Sequence, residues 1–159
     1  MMLRLFYLCF CLFFLLACQS KAPVPAQASL YQQNIQILPA AEQLPPYQEL
    51  YQSYLQGPEV QKTAPAWRQW QKQSAAQKNC TELDWQQGQK DNFWTLAFYR
   101  QAIDCFSKKP DSAELKHYHG YLNYLRNGLL QSGNGKGAYS AFQINLYQDA
   151  HDLVQLLGM

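Results

Sequence analysis

Two histidines have the residue type and the proximity that a metal site would need. His117 and His119 lie two positions apart in the sequence, and neutral imidazole is a common metal ligand. On a regular helix, residues two apart point about 200° away from each other, so both rings cannot bind one ion. His151 and Asp152 add no third ligand nearby. We therefore expect these histidines to lie on the surface or at contacts between helices, and we expect no metal site and no cofactor.

A glycine-rich segment, Gly133-Asn-Gly-Lys-Gly137, has the residue types of a loop that cradles phosphate. A true P-loop needs serine or threonine directly after its lysine, and it follows a buried strand. Here Gly137 follows Lys136, and a helical pattern comes before the segment. The segment is therefore predicted to be a connection between two helices.

The segment Gly137-Ala-Tyr-Ser-Ala-Phe-Gln143 resembles the Gly-Ala-x-Gly-Leu-Met-Gln stretch of lytic transglycosylases. That family needs a catalytic glutamate upstream, where this chain has Gln131 and Ser132. An amide cannot protonate a glycosidic oxygen, so the general acid is missing and we expect no muramidase activity. No serine has a histidine and an aspartate in a recognisable nucleophile motif. The sequence therefore predicts no catalytic site.

The N-terminus predicts an export signal over residues 1–17. Arg4 is followed by an unbroken apolar run from Leu5 to Ala17. As a helix this run covers about 20 Å, which is short of the roughly 30 Å hydrocarbon core of a bilayer. The run is therefore predicted to be the apolar region of a signal peptide and not a permanent membrane span.

The end of this signal, Leu15-Leu16-Ala17-Cys18, resembles the lipobox of bacterial lipoproteins. Leu15 misfits an ordinary secretory site, which needs a small residue there, and Leu16 stands where the family more often has a smaller residue. The resemblance implies that Cys18 becomes the lipidated N-terminus, with two or three chains for stable anchoring. Because Gln19 and not aspartate follows, it also implies the outer membrane, facing the periplasm.

Two further cysteines, Cys80 and Cys105, remain after the signal is removed and Cys18 is lipidated. An exported chain with two such cysteines is predicted to form one disulfide, the alternative being two buried free thiols. The formal net charge of +2 falls to about +1 when Arg4 leaves with the signal. Such a charge gives no electrostatic case for nucleic acid.

The remaining chain divides into a lipid-anchored tether over 18–46 and a helical periplasmic domain over 47–159. Prolines punctuate the tether, in which the apolar run from Ile35 to Leu38 could dock on the domain. Apolar spacing and capping residues then predict an all-α bundle of about five helices, with a short capped turn around Trp85. The predicted helices cover about 47–56, 66–78, 92–107, 112–131 and 138–157.

Tryptophans are concentrated in the middle of the chain, and their expected place is the core. The alternative is an exposed anchor for a partner peptide, where tryptophan is favoured. Trp67 and Trp70 fit that alternative best, because the helix that carries them is otherwise rich in glutamine, lysine and arginine.

The sequence as a whole suggests a non-catalytic adaptor or assembly factor for an envelope complex. Its expected partners are the membrane, through lipidated Cys18, and an envelope protein. This build resembles that of secretion pilotins, small outer-membrane lipoproteins of which some are helical with one disulfide. The alternatives are an enzyme or modulator acting on peptidoglycan and a binder of a small apolar ligand inside the bundle.

Overall fold

The computed structural model describes residues 28–77, 79–134, 136, 141–144 and 146–156. These residues form helices and no strand, which confirms the all-α class. The signal, Cys18 and the first part of the tether lie outside the described residues. The α-helices are α1 (Leu30–Ile37), α2 (Tyr47–Leu55), α3 (Val60–Ala76), α4 (Trp85–Asp91), α5 (Leu96–Phe106), α6 (Ala113–Gln131) and α7 (Tyr147–Leu156). Single 3-10 turns cover Ala41–Gln43 and Cys80–Glu82.

The described part of the predicted tether, residues 28–46, is part of the folded domain, which corrects the boundary at 46. Ser29 and Gln32 form a reciprocal capping box that starts α1. Tyr31 is only 4% exposed, and its ring contacts those of Tyr54, Phe93 and Trp94. Sequence analysis missed this helix because prolines surround it and because its apolar contacts form no long stripe. Besides Tyr31, the residues Leu30, Ile35 and Leu38 pack against the core, so part of the apolar run from Ile35 to Leu38 does dock on the domain.

Two tyrosines of α6 hold the segment between α1 and α2. The Tyr121 hydroxyl donates to the carbonyl oxygen of Pro39, and the Tyr124 hydroxyl donates to that of Pro45 at 2.9 Å. Leu38 ends α1 with a φ of 44°, in the left-handed region that β-carbons disfavour. The chain therefore turns sharply at Leu38 and then follows α6 back to the start of α2.

Three predicted helix boundaries are wrong. The second predicted helix, α3, begins at Val60 and contains Pro65, whose missing N–H leaves the carbonyl of exposed Gln61 to water. The central helix, α5, begins at Leu96, because Asn92 instead ends α4 by donating its backbone N–H to Gly88. The last predicted helix is not helical at residues 141–144 and α7 begins at Tyr147.

The core consists mainly of aromatic rings in two neighbouring groups. One group surrounds Trp94 and the other surrounds Trp85, and Tyr99 stacks on Tyr121 near their junction at 5.8 Å. Burial raises the pKa of Tyr118 to about 12, so its hydroxyl stays neutral near neutral pH. The members are Tyr31, Tyr47, Tyr51, Tyr54 and Phe93 around Trp94, and Trp70, Phe98, Phe106 and Tyr118 around Trp85.

One buried carboxylate attaches α7 to the centre of the fold. Asp149, 2% exposed, accepts the backbone N–H of Leu96 at 3.2 Å and that of Leu146 at 3.2 Å. Leu96 begins α5 and Leu146 precedes α7, positions where backbone N–H groups lack intrahelical acceptors. One turn further along α7, Asp152 forms a salt bridge with Arg100 at 2.6 Å.

Asp149 predicts a dependence of stability on pH. Burial raises the pKa of its carboxyl from 3.8 to about 7, although the two backbone N–H groups lower it. The folded chain therefore binds more protons than the unfolded chain between these two values. The free energy of unfolding should increase as the pH falls from about 7 to about 4, by up to about 4 kcal/mol.

We expect Asp149→Asn to remove most of that increase, as measured by urea unfolding across this pH range. Burial also raises the pKa of Asp152, so a smaller slope of the same sign should remain. Asp111→Asn, at an exposed position, is the matched control and should follow the parent. If the free energy of unfolding changed with pH by the same amount in the parent and in Asp149→Asn, this account of the carboxylate would be contradicted.

Candidate functional site

A surface groove with a volume of about 690 Å³ lies between α3 and α4. The α3 side of the groove is largely polar, because α3 buries only Thr63 and Trp70. Amide, carboxylate and a few apolar side chains line it. The lining residues are Gln61, Lys62, Pro65, Ala66, Gln69, Trp70, Gln73, Gln77, Glu82, Leu83, Asp84, Gln87, Gly88, Asp91 and Asn92.

The floor of this α3–α4 groove is the close contact between Trp70 and Gly88. A β-carbon at Gly88 would lie 2.3 Å from the Trp70 ring and 2.9 Å from the Phe98 ring, so only glycine fits there. The Trp70 ring also lies 5.1 Å from that of Trp85, and its Nε1 donates to Gln101 Oε1 at 2.8 Å. The groove therefore rests directly on the core.

The α3 wall carries a glutamine row that sequence analysis missed. Gln69, Gln73 and Gln77 are spaced by four residues, all are exposed, and Gln61 extends the same spacing beyond Pro65. Residues four apart lie on one slowly inclined row of a helix surface. The spacing was visible in the sequence, but only the position of α4 shows that this row faces a groove.

The opposite wall is acidic. Glu82, Asp84 and Asp91 are exposed and line it, whereas Lys62 is the only lysine or arginine among the described residues that line the groove. Hydrogen bonds fix two of these carboxylates, because Asp84 accepts the backbone N–H of Gln87 at 3.0 Å and Asp91 accepts the Gln87 side-chain amide at 3.0 Å. The wall is therefore a fixed row of negative charge facing the glutamine row.

The predicted disulfide is confirmed, and it positions this acidic wall. Cys80 is bonded to Cys105 with their α-carbons 5.8 Å apart. The carbonyl of Cys80 also accepts the Trp85 indole N–H at 2.8 Å. The bridge therefore ties the segment that leads into Glu82 and Asp84 to the end of α5.

A buried amide lies at the edge of the floor with an acceptor unused. Asn92 lines the groove and is 1% exposed. Its Nδ2 donates to the Gly88 carbonyl at 2.9 Å, but its Oδ1 has no hydrogen-bond partner. An unpaired buried acceptor is costly, so a donor that reached this oxygen would be stabilised there.

The two tryptophans selected as a partner anchor lie in different surroundings. Trp70 is 4% exposed and belongs to the core, so its place as an exposed anchor is corrected. The helix that carries Trp70 has few other large apolar residues, so the buried Trp70 ring is its main apolar contact with the core. Trp67 is half-buried and lines a separate shallow hollow of about 430 Å³ with Gln71, Ser74, Ala97 and Gln101.

The histidines occupy separate environments. His117 is half-buried with its Nε2 2.8 Å from Gln89 Oε1, and burial lowers its pKa. His119 and His151 are exposed. Among the described residues, no cluster of three histidine, cysteine, aspartate or glutamate side chains could hold a metal ion.

A small pocket beside Asp149, lined also by Tyr47, Trp94 and Leu129, has a volume of about 10 Å³. That is room for about one water molecule, and too little for an apolar ligand. Within the described ranges, no helix combines the length and the apolar character needed to cross a bilayer.

Comparison with protein-family models, with curated proteins and with solved structures finds no match to this chain. The resemblance of residues 15–18 to a lipobox concerns residues outside the described structure.

The contact at the groove floor predicts the effect of one added methyl group. Gly88→Ala should lower the free energy of unfolding by about 1–3 kcal/mol, because the β-carbon overlaps the Trp70 ring. Gly120→Ala is the matched control. Its nearest neighbour is the Ala41 β-carbon at 3.2 Å, and it gains the same helix propensity, about 1 kcal/mol. Urea unfolding measures both variants. Equal free energies of unfolding for Gly88→Ala and Gly120→Ala would contradict a close contact between Gly88 and Trp70 at the groove floor.

Proposed function

We propose that this chain is an outer-membrane lipoprotein that faces the periplasm and acts as a non-catalytic adaptor for an envelope complex. Cys18 carries the lipid, and the α3–α4 groove receives a segment of the partner protein. The observation that carries the adaptor role is the groove itself, about 690 Å³ of concave surface with both polar and apolar lining, resting on an aromatic floor.

Two features of the chain support a location in the periplasm. The lipobox resemblance at Leu15-Leu16-Ala17-Cys18 predicts export and lipidation. The Cys80–Cys105 bridge fixes the segment that leads into the groove residues Glu82 and Asp84, and such bridges persist in oxidising compartments such as the periplasm. An exported location therefore agrees with the chemistry that holds the groove together.

The groove lies close to the point where the chain enters the fold, which limits its distance from the membrane. Gln32 of α1 donates to the side chain of Glu59 at 2.9 Å, and the groove residues Gln61 and Lys62 follow directly. The ten residues from Cys18 to Ala28 span at most about 36 Å when fully extended. A partner in the groove would therefore be bound near the inner surface of the outer membrane.

Site-specific photocrosslinking in cells tests the adaptor role. We expect benzoyl-phenylalanine placed at Gln73, inside the groove, to form a covalent adduct with an envelope protein. The same group at Gln86, exposed on α4 outside the lining, is the matched control and should give none. Adding Cys18→Ser should abolish the adduct, because the groove is then not held at the membrane.

An absence of any adduct from Gln73, or equal adducts from both positions, would contradict an adaptor that works through this groove. If the adduct still formed in the Cys18→Ser variant, partner binding would not depend on a membrane anchor at Cys18.

A further inference from the structure

The glutamine row of α3 has a repeat that fits an extended polypeptide. Gln69 and Gln73 of α3, and Gln77 at its C-cap, are four residues apart, which is a rise of about 6 Å per step along a helix. An extended chain presents its main-chain groups to one side every two residues, a repeat of about 6.4–6.8 Å. The two repeats are so similar that flexible glutamine side chains could stay paired with the main chain of the segment over three positions.

The chemistry of the row fits the same occupant. Each glutamine amide has both a donor and an acceptor, and each exposed edge of an extended chain offers both a carbonyl and an N–H. The row is inclined to the helix axis by about 26°, so the bound chain would cross α3 at a shallow angle. Gln61, four residues before Pro65, extends this contact toward the start of α3.

The acidic wall limits the side chains that such a segment can carry. Glu82, Asp84 and Asp91 line the groove opposite the glutamine row, and among the lining residues that the structure describes Lys62 alone is positively charged. Side chains of an extended chain alternate between two faces. With one edge on the glutamines, alternate side chains are directed at the floor and at the mouth of the groove. Those at the mouth lie beside the exposed carboxylates of the acidic wall, where lysine or arginine would be stabilised and glutamate or aspartate repelled.

We propose that the α3–α4 groove binds an extended basic polypeptide segment, with the glutamine row pairing its main chain and the acidic wall pairing its lysines or arginines. The inference rests on the proposed adaptor function and names the chemical class of the partner segment.

Fluorescence anisotropy with the purified full chain in detergent tests this proposal. The probe is a fluorescein-labelled octapeptide of alternating threonine and lysine. We expect it to bind, and an octapeptide of alternating threonine and glutamate to bind at least tenfold more weakly. A threonine–lysine peptide with alternate N-methylated amides should also bind about tenfold more weakly, because one edge then lacks its donors.

Two variants separate the groove from the rest of the surface. Gln73→Leu keeps the side-chain bulk but removes both hydrogen-bonding groups, and it should weaken binding of the basic peptide about tenfold. Gln86→Leu, outside the lining, should leave binding unchanged. Circular dichroism and melting temperatures of both variants should match the parent, because both positions are exposed on helices.

Equal binding of the acidic peptide, no effect of Gln73→Leu, or no binding of any peptide would overturn the proposal. Binding of chitotetraose in place of the peptides would also overturn it and would assign the groove to a glycan. A photocrosslinked partner at Gln73 together with no peptide binding would retain the adaptor role and reject only this class of segment.

Discussion

The Trp70 side chain fills the narrow space between Gly88 of α4 and Phe98 of α5, and the arrangement of α3 depends on that contact. Helix α3 is otherwise largely polar. Besides this indole and its hydrogen bond to Gln101, its links to the core are the buried hydrogen bond of Thr63 with Tyr54 at 2.6 Å and the half-buried ring of Trp67. Because these few side chains replace a continuous apolar stripe, much of the α3 surface stays exposed. The groove on one side and the hollow beside Trp67 on the other are consequences of this attachment.

The ends of the fold are held by specific polar and covalent links in addition to the apolar contacts of Tyr31 and Leu153. The Cys80–Cys105 bridge fixes the irregular segment before α4, and Asp149 fixes α7 through the free N–H groups at two helix starts. Tyr121 and Tyr124 hold the segment before α2 by its carbonyl groups. These links keep the acidic wall and the chain entry in defined positions around the aromatic core.

The all-α class, α2, α6 and the disulfide could be predicted from sequence, because each has a local signal in apolar spacing, capping residues or cysteine count. Helix α1 could not, since its stability depends on where Tyr31 packs among distant rings. Sequence analysis predicted that the helix α5 begins near Asn92, because an asparagine side chain can cap either end of a helix. In the structure Asn92 ends α4 instead. The four-residue spacing of the glutamines was visible, but its meaning depends on the acidic wall that the tertiary fold places opposite.

The functional account depends on the anchor at Cys18, because the anchor decides the compartment, the length of the spacer and the partners within reach. The most direct measurement is the mass of the N-terminal peptide of the chain purified from membranes. The account predicts a peptide that begins at Cys18 and carries the added mass of a diacylglyceryl group with an amide-linked acyl chain. A chain that begins at another residue, or an unmodified Cys18, would contradict it.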